Sequence, residues 1–79
     1  MACNPSQLAA AGAGFVGQPT RLLKAMQLRL LCAAVDGESM ACDPNTLAEE
    51  ARCLLCLTDQ QLDAAIIVKL CELVTQLSS

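Results

Sequence analysis

Residues Met1 to Pro5 read "MACNP", and residues Met40 to Pro44 read "MACDP". The fold is decided by how this near-identity is read, because internal repeats change the architecture a chain of this length adopts. Displacing the chain by 39 positions pairs Met1 with Met40, Ala2 with Ala41, Cys3 with Cys42 and Pro5 with Pro44. The same displacement pairs Leu8 with Leu47, Leu23 with Leu62, Leu31 with Leu70, Cys32 with Cys71 and Val35 with Val74, without a gap. A common amphipathic pattern accounts for some of the leucine matches. It does not readily place Met-Ala-Cys-x-Pro and the far cysteine in one register. The reading is a tandem duplication, and the plainer alternative is two unrelated helical hairpins. Unit 1 spans 1–35, a linker 36–39 and unit 2 40–79, within one domain of 79 residues.

Each unit reads as two helices. Asn4 and Asp43 stand just before a proline, a capping residue followed by the favoured first helical position. The first helices are expected at about Ser6 to Phe15 and about Asn45 to Leu57. Thr58 with Gln61 three residues on forms a capping box, and Gly37 is placed to end the helix before it. The second helices are expected at about Pro19 to Val35 and about Thr58 to Leu77. The predicted fold is therefore all-α, with four helices forming two tandemly duplicated antiparallel hairpins. In the first helix "AAAGAG" (Ala9 to Gly14) leaves almost no side chain. That run reads either as a weak helix, since glycine lowers helix stability, or as a packing groove for a partner helix.

Composition narrows the function classes. A chain this short buries only about 60% of the surface its unfolded form exposes, so its core needs support from disulfides, a metal or oligomerisation. Six cysteines and a 54% hydrophobic content offer the first and the last. With one Phe and no Trp or Tyr, the core must be aliphatic. Charge is divided unevenly. Residues 1–35 carry Arg21, Lys24 and Arg29 and no acid, whereas residues 36–79 carry eight acids against Arg52 and Lys69. This polarity suits attraction between the units or head-to-tail contact between subunits. Three scattered basic residues without stacking aromatics are a poor nucleic-acid surface. No apolar run reaches the length of a membrane span, and the N-terminus lacks the basic start and apolar core of an export signal. Synthesis and first folding in the cytoplasm of the producing cell follow as expectations.

The cysteines carry the remaining chemistry. In an antiparallel hairpin Cys3 precedes the first helix and Cys32 lies well past the turn. At 1.5 Å per residue the chain climbs about 16 Å and descends about 20 Å, which brings both to the open end. Cys42 and Cys71 repeat the arrangement, and a disulfide in each pair would restrict the unfolded chain by about 3 to 4 kcal/mol. Reduced thiols acting as small buried hydrophobes are the alternative. Cys53 and Cys56 have no counterparts in unit 1, where Gly14 and Gly17 stand. Three apart on a helix, they share a face, opposite the side carrying Leu47, Ala51, Leu54 and Leu55. They are candidates for an intermolecular contact or bond, or for a metal. C-x-x-C alone is half a zinc site, and the chain has no histidine. No resident cofactor or metal and no small-molecule substrate is expected. A nucleophilic cysteine finds no base, there is no glycine-rich phosphate loop, and Glu49 and Glu50 point apart. The expectation is a protein that is not an enzyme.

The last helix carries Leu62, Ile66, Leu70, Leu73 and Leu77 on one stripe, with Ile67, Cys71 and Val74 continuing around the side. That arc is too wide for one neighbour, so Leu62, Ile66, Ile67, Leu70, Leu73, Val74 and Leu77 are the candidate interface. The second unit, in Cys42, Pro44, Leu47, Ala51, Arg52, Cys53, Cys56, Leu57, Leu70 and Cys71, resembles small cysteine-rich proteins encoded among the structural genes of tailed bacteriophages and prophages. The first unit keeps only the outer cysteines of that pattern. The resemblance implies a virion component, assembled in a host cytoplasm and later exposed to oxidising surroundings, where disulfides close. A decoration, neck or tail subunit that binds other virion proteins or copies of itself is the leading reading. A metal- or redox-responsive regulatory module built on Cys53 and Cys56, or a small adaptor or inhibitor of a host protein, are the alternatives.

Overall fold

A computed structural model describes residues 4–40 and 43–78, and every regular element among them is helical. Helix α1 spans Pro5–Ala11, α2 Thr20–Asp36, α3 Pro44–Ala51 and α4 Asp59–Ser78. Short 3-10 stretches at Ala13–Phe15 and Arg52–Cys56 follow α1 and α3. Elements therefore begin at residues 5, 13 and 20 and again at 44, 52 and 59, and 44 − 5, 52 − 13 and 59 − 20 all equal 39.

Local signals set these boundaries. The Asn4 side chain accepts hydrogen bonds from the Ser6 and Gln7 amides at 2.9 and 3.3 Å. Asp43 accepts from the Thr46 amide at 3.0 Å. The Thr58 amide donates to Gln61 Oε1 at 2.9 Å while the Gln61 amide donates to Thr58 Oγ1 at 3.1 Å, so the capping box is reciprocal. At the end of α2, Gly37 adopts φ +75°, and the Glu38 amide reaches back to the Ala33 carbonyl at 2.8 Å. This is the left-handed stop that glycine allows without a Cβ penalty. Gln76 stands 39 positions after Gly37, and α4 runs on through it.

Helix α2 is the spine. Both α3 and α4 pack on it, as does the 3-10 stretch at Arg52–Cys56. One side of α2 bears Leu22, Ala25, Met26, Arg29 and Ala33, and an adjoining side bears Lys24, Leu28, Leu31, Cys32 and Val35. The buried core joins Ala25, Met26 and Leu28 to Leu47, Ala48 and Ala51 of α3 and to Leu62 and Ile66 of α4. Leu47 and Leu62 are 1% and 0% exposed and are the largest fully buried side chains. Each contributes on the order of 1.5–3 kcal/mol by leaving water. Phe15, Leu54, Leu55 and Met40 pack partly buried around this centre.

This pairing differs from two antiparallel hairpins. Helix α1 buries no residue, and its main contact is the 3-10 turn that follows it. A helix whose last turns are alanine and glycine has too little bulk to hold a neighbour through dispersion contacts. The packing groove expected at Ala9 to Gly14 is limited to Gly14, where an added Cβ would lie 3.2 Å from Pro44 Cγ. Helix α4 runs parallel to α2: Arg21 meets Asp59, Lys24 meets Asp63 at 3.2 Å, and Gln76 donates to the Val35 carbonyl at 3.0 Å. The first helix of unit 2 is also shorter than expected. From Arg52 to Cys56 the backbone tightens to 3-10, and the Arg21 guanidinium donates to the Leu55 and Leu57 carbonyls left open at its end.

Leu62→Ala is expected to lower unfolding stability by about 2–5 kcal/mol, read from the urea midpoint by far-ultraviolet circular dichroism. Leu8→Ala, at a side chain 61% exposed on α1, is expected to leave that midpoint within experimental error. Equal losses at the two sites would contradict the assignment of α2, α3 and α4 as the packed core.

Candidate functional site

Helix α4 has two unlike sides. Toward α2 it presents Leu62 and Ile66, both buried, with Ala65, Lys69 and Leu73 half-buried beside them. The opposite side carries Ala64, Ile67, Val68, Cys71, Val74 and Thr75, all exposed. Ile67 and Val74 are each 60% exposed, and Leu70 and Leu77, on the flank, 40% and 78%. Between Ala64 and Ser78 the charged residues of α4 are Lys69, half-buried beside Leu62 and Ile66, and Glu72, exposed at the edge of this side, where it lines one groove with Ile67, Val68 and Cys71. Beyond Asp36 the last turn of α4 has no further turn of α2 beside it, which explains the exposure of Leu77. Contiguous apolar surface of this kind on a small protein marks a place where another surface docks.

The seven candidate interface residues therefore divide. Leu62 and Ile66 are part of the chain's own core and present no surface to a partner. The reason is that α2, and not a neighbouring subunit, covers the N-terminal half of their stripe. Leu73 is half-buried, while Ile67, Leu70, Val74 and Leu77 stay open. Val68, 54% exposed beside Ile67, belongs to the same surface. It was absent from the sequence-derived set because that set followed the Leu62 stripe; its spacing of four from Ala64 was the available signal.

Charge frames the α2–α4 contact. Arg21 Nε lies 3.8 Å from Asp59 Oδ1, and Lys24 Nζ lies 3.2 Å from Asp63 Oδ1. Both pairs join the basic first unit to the acidic second, so the uneven charge works between units. At such exposed positions each ion pair contributes about 0–1 kcal/mol. Lys69 is paired with Glu72 at 3.0 Å, and this hydrogen bond, with the charge behind it, holds the ammonium above its ordinary pKa. Cys32 of α2 packs partly buried against the core that contains Leu62 and Ile66 of α4.

Four cysteines fall among the described residues, all as free thiols: Cys32 half-buried, and Cys53, Cys56 and Cys71 exposed. Cys3 and Cys42 lie outside the described residues, and so do the proposed pairs Cys3–Cys32 and Cys42–Cys71. Cys53 Sγ donates to the Glu50 carbonyl at 3.3 Å and Cys56 Sγ to the Cys53 carbonyl at 3.5 Å. The 3-10 backbone brings residues three apart into line, so this pair still shares one exposed side. Among the described residues no three Cys, Asp or Glu side chains gather as metal ligands. Every fully buried side chain is apolar, and no described helix is long and apolar enough to cross a membrane.

In reduced native protein, Cys53, Cys56 and Cys71 are expected to react with iodoacetamide severalfold faster than Cys32, resolved by peptide mass spectrometry. Uniform rates across the four would contradict the placement of Cys32 against α4.

Comparison with protein-family models, with curated proteins and with solved structures finds no match for this chain, and none of the three links it to phage proteins.

Proposed function

We propose that the chain is a non-catalytic assembly subunit, a tandem duplication whose second copy offers the outward side of α4 to a neighbouring protein. The observation that carries this reading is the apolar surface of Ile67, Val68, Leu70, Val74 and Leu77, edged by Glu72 and left open by the chain's own packing. The duplication rests on the recurrence of element starts at 39 residues and on the shared Met-Ala-Cys-x-Pro and cysteine register. The setting we propose is a bacteriophage particle, as a decoration, neck or tail component. Its support is the cysteine and leucine pattern of the second unit. Leu62 and Ile66, buried against α2, hold α4 in place so that the outward side is presented on a fixed helix, and the Arg21–Asp59 and Lys24–Asp63 pairs lie at the rim of that contact.

Cys71 reports on this surface, since it sits among Ile67, Val68 and Thr75 at the edge of a shallow groove closed by Val35. In purified particles that contain the chain, alkylation of Cys71 is expected to slow at least tenfold relative to the free protein. Ile67→Glu combined with Val74→Glu is expected to abolish incorporation while leaving the helical circular dichroism intact. Cys71 rates that are the same in particles and in free protein would overturn the docking role of α4. Absence of the chain from the particles would overturn the virion setting.

A further inference from the structure

The side of α4 that stays open is the repeat of the side of α2 that α4 covers. Helix α2 meets α4 through the side bearing Lys24, Leu28, Leu31, Cys32 and Val35: Lys24 pairs with Asp63, Leu31 shares a groove with Ile66 and Leu70, and Val35 accepts from Gln76. Adding 39 to these positions gives Asp63, Ile67, Leu70, Cys71 and Val74, the open side of α4. Four of the five are exposed apolar or thiol side chains. The complementary side repeats as well. Helix α4 docks on α2 through Leu62, Ile66, Lys69 and Leu73. Their equivalents on α2 are Leu23, Gln27, Leu30 and Ala34, a side that is only partly covered: Leu23 and Leu30 pack against the edge of the core, and Gln27 and Leu30 line one groove with Ile66 and Leu70 of α4. Gln27 and Ala34 are exposed, and Leu23 and Leu30 only half-buried.

Each copy thus displays one open receiving side, on α4, with Leu70 at its flank, and one partly open inserting side, on α2, where Gln27 and Ala34 are exposed. Between them they reproduce the contact already made inside the chain. We infer that the partner docking on α4 is α2 of a second copy of this chain, added head to tail in the parallel register that α4 itself takes on α2. Charge agrees with this choice. Lys24 and Asp63 are already paired within each copy, and in the head-to-tail register Asp63 of one copy would also face Lys24 of the incoming one, which continues the alternation of opposite charge. Because the receiving and inserting sides differ, the contact is heterologous and does not close on itself after two copies. It generates a ring or an open series, the geometry a repeating particle component needs. The proposal rests on the reading of α4 as a docking surface and adds the identity of its occupant.

The test is sedimentation of the full chain under reducing conditions, over a concentration series reaching millimolar. Wild type is expected to rise with concentration from 8.3 kDa through dimers to larger species. The receiving-side variant, Ile67→Glu with Val74→Glu, and the inserting-side variant, Gln27→Glu with Ala34→Glu, alter only exposed positions. Each alone is expected to remain at 8.3 kDa with unchanged helical circular dichroism. Mixed in equal amounts, they are expected to form one heterodimer and nothing larger, because each supplies the side the other lacks. Should either Glu pair unfold the chain, the milder Gln replacements Ile67→Gln with Val74→Gln, or Ala34→Gln alone, are used in its place and are read for the same pattern. If the inserting-side variant dimerises alone and the mixture forms no heterodimer, the contact is α4 against α4 and the head-to-tail inference is overturned. Wild type that stays at 8.3 kDa at every concentration overturns self-association altogether. In that case slowed alkylation of Cys71 in particles still distinguishes a docking surface for a different protein from no docking surface.

Discussion

Everything in this molecule depends on α2 being shared. Nine buried hydrophobic residues among those described make a small core for three helices, and it holds together because α2 offers one side to α3 and an adjoining side to α4. Alanines at 25, 48 and 51 are buried to 7% exposure or less, and their small volume lets α2 and α3 approach closely. Leu47 and Leu62 then fill the space from either flank. The second unit has little packing of its own between α3 and α4, and it is ordered by the first. Arg21 binds the two together at one end, donating to the Leu55 and Leu57 carbonyls and facing Asp59.

A consequence of that arrangement is an imbalance in what is covered. The spine buries two of its sides and leaves the third partly open. Helix α4, lying against the spine along one side only, leaves most of its circumference in water. The sequence does not compensate for this. It places Ile, Val and Leu on the open side of α4 and confines charge between Ala64 and Ser78 to Lys69, on the side toward α2, and Glu72, at the edge. A surface helix that needed only solubility would carry charged residues there. On the reading proposed, the apolar side is a functional feature and the proposed duplication is its geometric explanation.

How much of this was legible in the sequence varies with the range of the interaction. Helix ends were readable because their signals are local: Asn4, Asp43, the Thr58–Gln61 box and Gly37 all act within five residues of the backbone groups they satisfy. The weakness of α1 was readable from Ala9 to Gly14 for the same reason. Partner choice was not. Hydrophobic periodicity says which side of a helix is buried but not against what, and consecutive helices joined by short turns are ordinarily antiparallel neighbours. Here α4 lies parallel to α2, and the contacts that show it, Lys24 with Asp63 and Val35 with Gln76, join residues 39 or more positions apart. The 3-10 stretch at Arg52–Cys56 was hidden likewise, because the group that satisfies its terminal carbonyls is Arg21, more than thirty positions earlier. In the candidate site, Ile67, Leu70, Val74 and Leu77 were legible as apolar surface, whereas Leu62 and Ile66 could be assigned to the core only once α2 was seen to cover them.

The account stands on the parallel placement of α4 against α2, and methyl-to-methyl nuclear Overhauser contacts in the reduced monomer test it most directly. Contacts from Leu31 to Ile66 and Leu70, and from Val35 to Val68, are the result the account predicts. Contacts from Leu22 or Leu23 to Leu73 and Leu77, with none between Leu31 and Leu70, would mean that the helices run antiparallel. The repeat of faces on which the proposed assembly rests would then not exist.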